Sequence, residues 1–191
     1  MGNPAKRNPA VFLDRDGTIN EEVGYLSRLD LLKLIPGTPE AIRLINEAGM
    51  ITVVVTNQSG VARGYFSEDF VETVHRRINE MLQEQGARID RFYFCPHHPV
   101  YGNGPYKIAC SCRKPESGLF LRASEELDID LARSYVVGDM LKDIDAGKRV
   151  GARGVLVRTG YGQNITQTDK PVYIAEDVLD AVKWILQDRG K

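Results

Sequence analysis

Four groups of residues have the types and spacing to do chemistry. Asp14 and Asp16 sit one residue apart at the end of the apolar run AVFLD, and Gly17 follows at once. Two carboxylates at the mouth of a hydrophobic strand repel each other unless a cation or a shared proton intervenes. Mg2+, a hard ion that prefers oxygen ligands, is the economical partner. Asp139 and Asp143, which follow the run SYVVG, belong to the same carboxylate group, because a carboxylate there can complete a magnesium site facing Asp14. The run ITVVVTN leads into Thr56, Asn57, Gln58, Ser59 and Gly60, a hydroxyl followed by turn amides that can hold a phosphoryl group. Lys114, in CRKP, is a compact positive charge suited to a phosphate.

The fourth group is chemically soft. Cys95, His97, Cys110 and Cys112 give C-x-H-x12-C-x-C, three thiolates and one imidazole. This donor set matches a closed tetrahedral zinc site, in which four protein ligands leave no open position and the ion is structural. His98 is the rival of His97, and adjacency does not separate them. All three cysteines of the chain lie in this stretch. An odd count crowded into one loop makes a poor disulfide framework, and reduced thiols in a cytoplasmic protein read as metal ligands or catalytic groups.

Each of these groups needs a strand end to hold it. AVFLD, ITVVVTN, FYFC, SYVVGD and GVLVRTG are short, β-branched or aromatic, and mostly stop at Asp, Asn or Gly. Such runs predict strands buried on both faces, as in a parallel sheet. Helical patterns alternate with them: TPEAIRLINEAG, with Thr38 as N-cap, Pro39 at the first position and Ile42, Leu44 and Ile45 on its apolar side. SEDFVETVHRRINEMLQEQG follows, with Phe70, Val74, Ile78 and Met81 on one stripe. SGLFLRASEELDI, MLKDIDAGKRVG and AEDVLDAVKWILQD complete the set. The alternation predicts an α/β/α three-layer, Rossmann-like domain with a mostly parallel sheet, spanning residues 1–191, with the soft loop at 95–112 inserted. In such sheets ligands sit beyond the carboxyl ends of the strands, where all four groups fall.

Composition excludes several classes. With 25 Lys and Arg against 26 Asp and Glu, no basic field advertises a nucleic acid or a membrane surface. No apolar run approaches a membrane span, and MGNPAKRNPA lacks the apolar core of a signal peptide. Lys6 stands where a myristoylation motif needs Ser or Thr. A cytoplasmic, monomeric protein acting on a small molecule is the expectation.

The order D-x-D-G-T, then a strand-end hydroxyl, then Lys, then G-D-x-x-x-D resembles the four-motif signature of the haloacid dehalogenase (HAD) superfamily phosphatases, over residues 9 to about 160. The resemblance implies a magnesium-dependent phosphatase in which Asp14 is the nucleophile and Asp16 the general acid and base. It implies Mg2+ on Asp14, the Asp16 main-chain carbonyl and Asp139, phosphoryl oxygens on Thr56 and Lys114, and Asp143 supporting Lys114 or the waters of the metal. LDRDGTIN, TNQSGVARG, CPHHP and CSCRKP together resemble one branch of these phosphatases. That branch lacks a large cap domain, carries a zinc loop, and acts on a heptose bisphosphate or on histidinol phosphate. It uses the position of His97 as the zinc ligand. The heptose substrate is the first expectation, with the 7-phosphate removed on the route to nucleotide-activated heptose. Arg113 would read the far end of the substrate, Glu22, Val23, Gly24 and Tyr25 would line the sugar pocket, Thr56, Asn57, Gln58 and Ser59 would form the phosphate-facing turn, and Arg63 would add a contact. Members often place a base directly after the metal-binding Asp, where this chain has Met140. Histidinol phosphate or another small phosphosugar is the alternative substrate. A catalytically silent, zinc-stabilised binding module is the alternative from another class, against which the intact Asp14, Asp16, Thr56, Lys114 and Asp139 set argues.

Overall fold

The protein was analysed as a computed structural model that describes residues 7–166 and 171–190. Lys6, read against a myristoylation motif, lies outside the described residues. Six strands form one sheet: β1 (Ala10–Leu13), β2 (Ile51–Asn57), β3 (Arg91–Cys95), β4 (Tyr135–Gly138), β5 (Arg153–Val157) and β6 (Tyr173–Ala175). Their order is β3-β2-β1-β4-β5-β6, and every pairing is parallel. Parallel neighbours require crossovers, which α1 (Thr38–Glu47), α2 (Glu68–Gln83), α3 (Gly118–Glu126) and α4 (Leu141–Arg149) provide between the first five strands, while α5 (Val178–Asp188) follows β6.

The two faces of the sheet sort by the period of two. Val11, Leu13, Val54, Val137 and Val155 pack with Ile42 and Ile45 of α1, Ile78 and Leu82 of α2, and Val182 and Ile185 of α5. Ala10, Phe12, Val53, Val55 and Val136 point the other way, against Leu119, Phe120 and Ala123 of α3 and Ala146 of α4. The central strands are therefore buried on both sides, which is why they read as unbroken apolar runs. Among the described residues, no helix is long and apolar enough to cross a membrane.

Three local expectations are corrected. Thr38 does not cap α1. Gly37, at φ 84°, takes the cap position, and the Thr38 hydroxyl instead donates to the Ile19 carbonyl at 3.1 Å. β6 was not expected, because its three residues lie next to AEDVLD and read as the entry to α5. In fact the cap of α5 is Asp177, whose side chain accepts the Asp180 amide. On α2 the buried stripe is Val71, Val74, His75, Ile78 and Leu82, while Phe70 and Met81 flank it.

His75 is the unexpected member of that stripe. It is 2% exposed, and its ring stacks on Phe92 at 4.6 Å. Burial pushes its pKa down to about 3, and the nearby Arg15 charge adds to this, so the imidazole is neutral. An unfolded chain binds that proton near the ordinary value of about 6.5, so stability rises with pH between these two limits. We expect unfolding free energy to fall by about 1.4 kcal/mol per pH unit below about pH 6. His75→Phe should flatten that slope in urea titrations at pH 7, 6 and 5, and an unchanged slope would show that other groups set it.

Candidate active site and metal centres

The first loop of the site follows from a glycine. β1 delivers Asp14, whose amide donates to the Val137 carbonyl on β4 at 2.9 Å. Gly17, at φ 80°, turns the chain away. A Cβ on Gly17 would lie 2.3 Å from Asp139 Oδ2, and a Cβ on Gly160 would lie equally close at 2.3 Å. Only two bare glycines allow the loops after β1 and β5 to close around the Asp139 carboxylate. The Tyr161 amide completes that wall, donating to Asp139 Oδ2 at 2.8 Å.

Lys114 lies under this group. It is 3% exposed, and its ammonium contacts Asp14 Oδ1 at 2.9 Å, Asp143 Oδ1 at 2.8 Å and the Val55 carbonyl at 2.6 Å. Burial alone would favour the neutral amine, but Asp14 and Asp143 outweigh it and hold the pKa above the usual lysine range. Asn57 pins the backbone beneath: its Nδ2 donates to the Lys114 carbonyl and its Oδ1 accepts the Lys114 amide, each at 3.0 Å. Asp143 is fully buried, and its other oxygen accepts the Met140 amide at the start of α4 at 3.0 Å.

The carboxylates of Asp14, Asp139 and Asp143 each offer an oxygen within 4.8 Å of the others. Lys114 touches Asp14 and Asp143 but not Asp139. Burial, with Asp14 close by, pushes Asp139 up to about 8. An oxygen-only set with one uncompensated carboxylate fits a hard divalent cation such as Mg2+. The Asp16 carboxylate is not a member of this cluster. Burial raises its pKa, but the Arg15 guanidinium and hydrogen bonds from Asn20 and Gln58 win, and the carboxyl is held below its ordinary value.

These groups open into a cavity of about 290 Å3. Asp14, Asp16 and Asp139 reach its floor, and Glu22, Gly24, Tyr25, Asn57, Gln58, Ser59 and Arg113 line it. Val23, expected there, is 40% exposed and does not line the cavity. Arg63 does not line it either. Its guanidinium lies over the ring of Tyr101 at 4.2 Å and over Tyr25 at 5.7 Å, tying two loops together at the rim. Lys142 and Tyr161 line the cavity although sequence reasoning passed over them. Lys142 sits in the first turn of α4, two positions beyond Met140, and restores a cation to that wall; its place just past a strand end was the available signal. Arg15, hidden between the two expected aspartates, is 1% exposed and grips Asp16.

The soft ligands converge on a second point. The sulfurs of Cys95, Cys110 and Cys112 lie 3.0–3.5 Å apart, and His97 Nδ1 lies 3.3 Å from Cys112 Sγ. All four donor atoms fall within 4.8 Å of one another. Burial pushes the Cys95 and Cys112 thiols up. The donors are three sulfurs and a nitrogen, the chemistry of a four-ligand zinc site. His98 is separated from His97 here: its Nδ1 accepts the amides of Val100 and Tyr101 at 3.1 and 3.0 Å. The loop is docked at both ends. Gly102, at φ 102°, packs where a Cβ would lie 2.0 Å from the Ala62 carbonyl. Arg113 Nη1 donates to the His97 carbonyl at 3.1 Å.

A parallel α/β sheet with an acidic pair closing β1, a buried lysine beneath it and a third carboxylate closing β4 defines a HAD-type hydrolase. A HAD-hydrolase-like family model matches residues 111–181. The D-glycero-D-manno-heptose-1,7-bisphosphate 7-phosphatase of Thermosynechococcus vestitus is 44% identical over 186 residues, 93% of this chain and 95% of that protein. The D-glycero-beta-D-manno-heptose-1,7-bisphosphate 7-phosphatase of Haemophilus influenzae is 46% identical over 178 residues, 92% of this chain and 93% of its own length. Among solved structures, a D,D-heptose 1,7-bisphosphate phosphatase from B. bronchiseptica, complexed with magnesium and phosphate, superposes with a TM-score of 0.84. It is 32% identical, over 94% of this chain and 99% of that one. The chain belongs to the HAD phosphatases, in the branch of these heptose bisphosphate phosphatases.

Proposed function

We propose that the protein is a magnesium-dependent phosphatase that hydrolyses the C7 phosphate of D-glycero-D-manno-heptose 1,7-bisphosphate, leaving heptose 1-phosphate. The observation that carries this reading is Asp14 at the floor of a cavity with Arg113 in its wall, paired with Lys114 buried beneath it. The floor offers a nucleophile to one phosphate. Arg113 offers a planar fork that a second phosphate can engage. The names of the relatives, at 44% and 46% identity over more than nine-tenths of the chain, support the same substrate.

In this mechanism Asp14 attacks phosphorus, and the bond from phosphorus to the sugar oxygen breaks as the aspartyl-phosphate forms. The negative charge of a bound phosphate opposes the Arg15 grip and favours a proton on Asp16, which gives it to the departing alkoxide and then takes one from the water that attacks the intermediate. Thr56 supports the phosphoryl oxygens. Lys114 holds a positive charge against Asp14 throughout, and Asp143 holds Lys114. Asp14, the Asp16 main-chain carbonyl and Asp139 would hold Mg2+, which when bound neutralises phosphoryl charge. Cys95, His97, Cys110 and Cys112 would hold a structural zinc. We place the enzyme in the cytoplasm as a monomer, where its thiols stay reduced.

Phosphate release from heptose 1,7-bisphosphate and from histidinol phosphate, each with Mg2+, tests this reading. We expect the heptose substrate to be preferred, and Asp14→Asn to lower turnover by about 10^4-fold or more. A clear preference for histidinol phosphate would overturn the substrate, and undiminished turnover in Asp14→Asn would overturn the mechanism. No release from either substrate, or from any other phosphosugar, would favour the silent binding module.

A further inference from the structure

The turn after β2 contains one residue whose hydrogen bonds point inward. Gln58 is 4% exposed. Its Nε2 donates to Asp16 Oδ2 at 2.8 Å and to Thr56 Oγ1 at 2.9 Å. Its Oε1 accepts Arg15 Nη2 at 3.1 Å. Only this orientation of the amide satisfies Arg15, because a guanidinium has donors and no acceptor and must face Oε1. Arg15 therefore decides which end of the amide faces Asp16, and Thr56 takes the second hydrogen and fixes the amide plane.

Asp16 is gripped from the other sides as well. Arg15 Nε and Nη2 donate to Oδ1 at 3.2 and 3.0 Å, and Nη2 reaches Oδ2 at 2.8 Å. Asn20 Nδ2 adds a bond to Oδ1 at 2.9 Å. Gln58 is thus the member of the grip that links the acid to the strand bearing Thr56. Both of its donor hydrogens are spent on protein, so none is left for a sugar or a phosphate.

We infer that Gln58, with its amide set by Arg15, is a positioning residue that aligns Asp16 for proton transfer to the leaving oxygen, and is not a substrate contact. The inference rests on the proposed role of Asp16 as the acid. It separates Gln58 from the phosphate-facing turn in which sequence reasoning had put it.

Leaving-group chemistry tests it. A sugar alkoxide needs a proton as it departs, whereas 4-nitrophenolate leaves without one. The values of kcat and KM should be measured on heptose 1,7-bisphosphate and on 4-nitrophenyl phosphate for wild type, Gln58→Met and Asp16→Asn. Asp16→Asn should lose far more on the phosphosugar than on the aryl ester. Gln58→Met should follow the same pattern more weakly, with kcat/KM down by about 10–100-fold on the phosphosugar and by less than about threefold on the aryl ester. The loss should lie in kcat, with KM changed by less than about threefold. A loss carried by KM, or one equal on both esters, would overturn the inference and make Gln58 a substrate contact or a packing residue. Equal losses on both esters in Asp16→Asn would instead remove the reading of Asp16 as the acid, and the inference with it. If Gln58→Met does not fold, the wild-type side-chain amide decides by NMR: both Nε2 hydrogens should exchange slowly with water, and rapid exchange of either would overturn the proposal.

Discussion

Lys114→Met is expected to abolish turnover and to lower stability at the same time. The ammonium satisfies Asp14, Asp143 and the Val55 carbonyl in a region closed to water. Removing one partner of a buried ion pair leaves an uncompensated charge, at a cost of about 3–5 kcal/mol. Met matches the length of the lysine stem, so the loss would report charge rather than packing. Burial already raises the Asp143 pKa, and Lys114 is the main influence that lowers it. Without the lysine, the folded protein would hold a proton on Asp143 above the pH at which the unfolded chain releases it. The variant should therefore regain stability relative to wild type as pH falls, because a raised carboxyl pKa favours the folded state at low pH. Urea unfolding at pH 7 and pH 5 should show the gap between the two proteins narrowing at pH 5. Turnover at pH 7 should fall by about 10^3-fold or more, since the charge that faces the nucleophile and the transferring phosphate is gone. An unchanged unfolding midpoint at pH 7 would show that the ion pairs carry no net stability.

The double substitution of Cys110 and Cys112 by Ser is the second large effect. Wild-type protein purified without chelator should carry about one equivalent of zinc, and the variant none. Structural zinc sites contribute apparent binding free energies of about 10 kcal/mol or more, much of it as local folding energy. The 95–112 loop should then become sensitive to proteases, while the sheet survives. The kinetic effect should fall first on KM, because the Arg113 guanidinium is held by the carbonyl of His97, one of the four proposed zinc donors. The Lys114 backbone is held separately by Asn57, so kcat should fall less than KM rises. A kcat/KM loss of about 10–100-fold is the expected size, the value of one misplaced charged contact. Absence of metal in the wild type would refute the zinc reading, and an unchanged KM would refute the link to Arg113.

The fold and the chemical residues were legible in the sequence for different reasons. The central strands were visible because burial on both faces demands unbroken apolar runs, as Val53, Val54 and Val55 show, and the edge strand β3 because its run FYFC is rich in aromatic residues. β6 was not, because Tyr173 and Ile174 are only half-buried at the sheet edge and three residues carry no period. Asp14, Asp139 and Lys114 could be found because each stands just past a strand or in a loop that follows one. What composition and spacing could not supply was direction. Thr38 has the right type for a cap, but its hydroxyl is drawn to Ile19 by a contact between segments far apart in sequence. Adjacency could not separate His97 from His98; the turn at Val100 and Tyr101 does, by occupying one ring. Gln58 has the type and position of a phosphate contact, and only the buried Arg15 shows that its amide faces inward. Buried polar partners of this kind leave no periodic trace.

The parallel order of the sheet has a consequence for how the enzyme comes into being. Asp14, Thr56, Lys114, Asp139 and Gly160 lie at the end of, or beyond, five successive strands, so a ribosome releases them in that order and never two together. An emerging chain that ends before Lys114 holds Asp14 without its counter-charge. One that ends before Gly160 lacks the wall that closes on Asp139. On the proposed mechanism, the phosphatase would switch on only after the chain has been made as far as Gly160.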